Sequence, residues 1–159
     1  MKAYARILVP HDGSKHSDNA LYNAAKIAKA SGANIVLLNI IEEIVIPPMI
    51  ERPKIRSSKT GQVIPIEKYL KELYQDMKNS MTKTLREKKM EYQGLAITID
   101  VKVVVGRPSD KIVKYAKQQK VDLIVMGTVG LGSLFKVAVF GSVAGKVSED
   151  ASCPVILIR

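Results

Sequence analysis

Asp122-Leu123-Ile124-Val125-Met126-Gly127-Thr128 is the stretch on which the fold turns. Four consecutive apolar side chains between an acid and a glycine describe a strand covered on both faces, because a strand with one face in water alternates instead. Val155-Ile156-Leu157-Ile158, directly after Pro154, has the same character. Outward from these, strands are predicted at 5–9, 34–40 and 96–104, each rich in Val, Ile or Leu. Amphipathic stretches separate them. The first is capped by Ser14 or Asp12, carries Ala20, Leu21, Ala24, Ala25, Ile27 and Ala28 at helical spacing, and stops at Gly32. A second, over 66–92, has Tyr69, Leu70, Leu73, Met77, Met81 and Leu85 on one stripe, read as core. A third runs from Ser109 to about Gln119, and a short fourth opens near Ser142 and ends before Pro154. Strand and helix in alternation predict an α/β fold: a single three-layer domain over 1–159, with a five-stranded, mainly parallel, Rossmann-like doubly wound sheet and about four helices. The segment 42–65 holds Pro47, Pro48, Pro53 and Pro65 and shows no period, so it reads as a long variable loop.

Bulk properties narrow the class. With 159 residues, 47% apolar and 25% charged, the chain has an ordinary globular composition. Its longest uncharged run, Leu123 to Phe135, is 13 residues with three Gly inside, too short to span a bilayer. No apolar signal-peptide region precedes the first strand, which predicts a cytoplasmic protein with no membrane partner. The lone Cys153 can form neither an internal disulfide nor a cysteine-based zinc site, and reads as a packed thiol. The net charge of +10 could mark a polyanion partner. Basic residues exceed acidic ones in residues 1–40, 41–100 and 101–159 alike, and the densest clusters lack interleaved aromatics. Nucleic acid is therefore the least favoured partner.

In an open parallel sheet, ligands gather at the carboxyl ends of the strands. Three segments belong there: Val9-Pro10-His11-Asp12-Gly13-Ser14, Asn39-Ile40-Ile41, and Met126 to Ser133, which continues to Gly141-Ser142. Gly127, Gly130 and Gly132 let bare N–H groups approach a ligand, and Gly141-Ser142 opens a helix whose N-terminus favours an anion. The glycines also suit a tight connection. Asp12 offers a carboxylate for a ribose or an adenine edge, and is equally a candidate helix cap. His11 and His16 lack the partners of a metal site. Neither Gly-x4-Gly-Lys-Ser/Thr nor Gly-x-Gly-x-x-Gly after the first strand is present, which excludes the P-loop and the usual dinucleotide fingerprint.

On these residues the chain resembles the universal stress protein family. The matching pieces are 7–14, 36–40, Gly106-Arg107-Pro108, 122–128, and Gly141-Ser142-Val143-Ala144 leading to Cys153-Pro154-Val155. The resemblance implies binding of ATP, ADP or AMP, with Mg²⁺ carried by the phosphates. It implies phosphate contacts at Gly127, Gly130, Gly141 and Ser142, with Val143 beside them, and adenine and ribose contacts at Pro10, Asp12 and the backbone of Ile40, with Met126 packed near. Ten residues separate Gly130 from Gly141, one more than the family's nucleotide-binding pattern, and Val129 stands where relatives often have a basic residue or His. No catalytic residue is assigned: the resemblance implies a regulatory binding protein of stress response, at most a slow ATPase. A dimeric scaffold of the same fold without nucleotide is the alternative. A homodimer through the final strand is implied in either case.

Overall fold

In the computed structural model, residues 4–48, 53–129 and 141–159 are described. Five parallel strands form the main sheet: β1 (Arg6–Pro10), β2 (Asn34–Ile41), β5 (Thr98–Val105), β6 (Leu123–Gly127) and β7 (Val155–Ile158). They lie in the order β5-β2-β1-β6-β7. Each expected strand is present, with ends shifted by up to two residues. Helices α1 (Lys15–Ser31) and α2 (Ile66–Met90) cover one face, and α3 (Pro108–Gln118) and α4 (Ser142–Asp150) the other. This follows from connection handedness. The chain steps from β1 to β2 to β5 in one direction, then crosses back past β1 to β6 and β7 in the other; right-handed crossovers therefore put the two helix pairs on opposite faces.

Alternate residues along each strand feed the two cores. Ile7, Val9, Ile35, Leu37, Leu123 and Val125 meet Ala20, Leu21, Ala24 and Ala28 of α1 and Leu85 of α2. Leu8, Val36, Leu38, Ile124 and Met126 meet Ile112 and Ala116 of α3 and Ala144 and Val147 of α4. The alanine face of α1 lets that helix lie close on the sheet, and Gly32, in the left-handed region at φ 73°, ends it with its N–H donated to Ala28 O. At the same, amino-terminal end of the strands, Asp122 Oδ2 accepts the N–H groups of Ala5 and Arg6 at 2.9 and 2.8 Å and ties β1 to β6.

Two expectations need correction. The 42–65 segment is not structureless: β3 (Lys54–Arg56) and β4 (Val63–Pro65) pair as an antiparallel ribbon. The buried Ser57 closes its turn, with Gly61 N–H on Ser57 O at 2.9 Å and Ser57 N–H on Gln62 O at 2.8 Å. The ribbon lies against the first half of α2, where Lys59 Nζ meets Asp76 Oδ2 at 2.5 Å and Ile44 N–H reaches Tyr74 Oη at 2.7 Å. The apolar stripe of α2 is also only partly core. Leu85 is fully buried and Met81 packs beside it, but Met77 is 41% exposed, because that half of the helix is covered by a thin ribbon rather than by the sheet. No helix among the described residues is long and apolar enough to cross a membrane.

Candidate functional site

Strand order reverses at β1, so the helices leave β1 and β6 on opposite faces and a crevice opens at the carboxyl ends of these two strands. The first wall is the turn from β1 into α1. His11 N–H donates to Leu38 O at 2.9 Å and His11 O accepts Asn39 Nδ2 at 2.8 Å, so the chain stays fixed to β2 one residue beyond Pro10. Gly13 then takes φ 89°, a conformation that an L side chain strains, and the backbone turns. Asp12 Oδ1 accepts Ser14 N–H at 3.0 Å, and Ser14 Oγ accepts Ser17 N–H at 3.1 Å. Of the two cap candidates, Ser14 caps α1. Asp12 shapes the turn before it and is half-buried at the rim of the crevice. Ser14→Ala is expected to lower stability by about 1 kcal/mol, read as a lower midpoint in urea unfolding.

The second wall is the end of β6. Thr128 N–H donates to Ile158 O at 2.9 Å, while Thr128 O accepts Gly141 N–H at 2.7 Å. The start of α4 is thereby held beside Gly127, although the two are far apart in sequence. Gly141 has no side chain to cap α4, so the first-turn N–H groups at Ser142, Val143 and Ala144 receive no side-chain oxygen from it. Gly127 is packed against α1: a Cβ there would lie 2.7 Å from His16 Cβ and 3.0 Å from the His16 carbonyl carbon. The two walls thus touch.

Of the other expected residues, Pro10 ends β1, Ile40 is next to last in β2, and Met126, within β6, is 5% exposed in the core between the sheet and helices α3 and α4. Gly130 and Gly132 lie outside the described residues. Arg107, at the start of α3, and Lys146, within α4, stand in exposed ion pairs with Asp110 at 3.8 Å and Asp150 at 2.9 Å. Among the described residues no cluster of His, Cys, Asp and Glu could hold a metal. Burial raises the Cys153 thiol above its ordinary value, as suits a packed thiol.

Sequence reading gave His11 no role, yet it is 2% exposed and bonded at both ring nitrogens. Nδ1 takes Gly13 N–H at 3.3 Å, and Nε2 lies 3.0 Å from Asp18 Oδ1 of α1. Lys88 Nζ of α2 also lies 3.0 Å from that oxygen. Asn39 and Thr128, both buried, were missed as well; each anchors a wall through its amide or backbone.

Known proteins share this fold. Universal stress protein YxiE of Bacillus subtilis is 31% identical over 156 residues, which cover 98% of this chain and 99% of that one. The solved structure of universal stress protein UspA from Lactobacillus plantarum superposes with a TM-score of 0.80 at 28% identity, covering 98% of each chain. A universal stress protein solved in complex with cAMP has the same fold, with a TM-score of 0.66 at 24% identity, covering 98% of this chain and 97% of that one. The pattern of the universal stress protein family matches residues 3–159, and with the fold and these relatives it shows that the chain belongs to that family.

Proposed function

We propose that this chain binds an adenine nucleotide, ATP, ADP or AMP, in the crevice between β1 and β6, and acts as a regulatory protein of stress response. The observation that carries the reading is the hydrogen bond from Gly141 N–H to Thr128 O, which holds the uncapped start of α4 beside the end of β6 and next to the Asp12 turn. N–H groups and the positive end of a helix favour phosphate, and a half-buried carboxylate across the crevice favours hydroxyl or amine donors. The donor set therefore fits a nucleotide. In this reading Gly127, Gly130, Gly141, Ser142 and Val143 face the phosphates, Pro10, Asp12, Ile40 and Met126 face the nucleoside, and Mg²⁺ comes with the phosphates. That the fold can take such a ligand is supported by the relative solved with cAMP.

We assign no residue as base or cation for phosphoryl transfer, so hydrolysis in this reading is slow at most. β7 is an edge strand with Ile156 37% exposed, and we place a homodimer contact along it. The test is to purify the protein without added nucleotide, denature it, and identify released small molecules by mass spectrometry and absorbance near 260 nm. Adenine nucleotide at about one per chain is expected. An empty protein that gives no heat with ATP and Mg²⁺ overturns the reading and leaves a dimeric scaffold.

A further inference from the structure

The polar knot at His11 bears on the same crevice. A backbone N–H can only donate, so His11 Nδ1, which takes Gly13 N–H, is unprotonated. The ring hydrogen then resides on Nε2 and is donated to Asp18 Oδ1. This neutral tautomer is fixed by its neighbours. The charged groups that face the ring are Asp18 of α1, Asp12 of the turn and Lys88 of α2. Burial lowers the His11 pKa from its ordinary 6.5; Asp18 and Asp12 oppose the shift and Lys88 adds to it. Asp18 already shares its oxygen with Lys88, which limits what it can offer an imidazolium.

A second proton has one place to go, Nδ1, where it would set N–H against the N–H of Gly13. The bond that holds Gly13 at φ 89° would then be lost, one residue from Asp12. We infer that His11 is the positioning residue of the Asp12 turn and makes the nucleotide affinity of this crevice fall in acid. This rests on the nucleotide reading of the site. The linkage has a definite sign: a His whose pKa is lowered by folding contributes full stability above 6.5, and that contribution is lost as the pH falls from 6.5 through the lowered folded value.

Three variants test it: His11→Asn, whose amide oxygen takes the place of Nδ1 and does not titrate; His11→Leu, which offers no acceptor; and Lys88→Met, which frees Asp18 for the imidazolium. Isothermal calorimetry with ATP and Mg²⁺ from about pH 7.5 to about pH 5.5 gives one readout, and the NMR shift of the Gly13 amide in the ligand-free protein gives another. Wild-type affinity should fall more than that of His11→Asn over this range, by less than about tenfold because the His11 pKa lies below its ordinary value. His11→Leu should bind weakly throughout. Lys88→Met should move the His11 titration to higher pH. A Gly13 amide that does not titrate with the His11 ring overturns the inference whatever the ligand, as does a His11→Asn variant as acid-sensitive as the wild type. If Gly13 titrates with His11 but the protein takes no nucleotide at any pH, the positioning role stands and the nucleotide reading falls.

Discussion

Gly127→Ala is expected to destabilise the fold by about 1–3 kcal/mol, whereas Gly145→Ala in α4 is expected to stabilise it by about 0.5–1 kcal/mol. Both changes add one methyl group, and the difference lies in what that methyl meets. At Gly145 there is nothing within 4 Å, so alanine supplies only its better helix propensity. At Gly127 it meets Cβ and the backbone of His16 at 2.7 and 3.0 Å, and neither can swing aside as the end of a long side chain would. Strand β6 or the first turn of α1 has to move. That turn is roofed by Ser14 and Ser17, both buried, and it continues the Asp12 loop, so displacement spreads into the crevice. Urea unfolding of the two variants measures the contrast. Equal midpoints would show that α1 yields freely at His16, and would return the bare backbone of Gly127 to a purely ligand-facing explanation.

Local signals carried most of the architecture. Strands β1, β2 and β6 announce themselves because strands buried on both faces must be continuously apolar, and α1 because an alanine stripe between Ser14 and Gly32 fits no other element; β7 is equally apolar yet lies at the sheet edge with Ile156 37% exposed, so its run of apolar residues did not mean cover on both faces. The β3–β4 ribbon was illegible for the opposite reason. Three-residue strands carry too few positions for a period, and their pairing depends on the buried Ser57 in a turn that reads as ordinary loop. The stripe of α2 was visible, but sequence does not say that its first half meets only the ribbon, which leaves Met77 in solvent. In the crevice, Asp12, Gly127 and Gly141 were legible because turns and helix starts demand small or capping residues. The His11–Asp18–Lys88 chain was not, since it joins β1, α1 and α2 across layers and no spacing along the chain encodes that meeting. Gly127 carries two meanings in one residue: the glycine suits a ligand's approach, and it is independently required by His16.

Asp12→Ala is expected to weaken adenine-nucleotide affinity by about 10–100-fold, the scale of a hydrogen bond to a charged acceptor, at a cost in stability of no more than about 1 kcal/mol. The small stability cost follows from the division of labour in the turn. Ser14, not Asp12, caps α1, and Asp12 Oδ1 accepts the N–H of Ser14, a residue already held by its own bonds to Ser17. Ser14→Ala should behave in reverse, with stability falling and affinity changing little. Asp12→Asn separates the two duties of the carboxylate, because an amide oxygen still closes the turn onto Ser14 N–H while the negative charge is gone. If the carboxylate receives ribose or adenine donors directly, Asn should bind nearly as poorly as Ala in calorimetry. If Asp12 matters only as the shape of the turn, Asn should restore wild-type affinity, and the contact across the crevice would have to be reassigned to the backbone of Pro10 and Ile40. Melting curves on the same three variants keep the comparison independent of folding, since a loss of affinity without a shift in melting cannot come from a disordered turn.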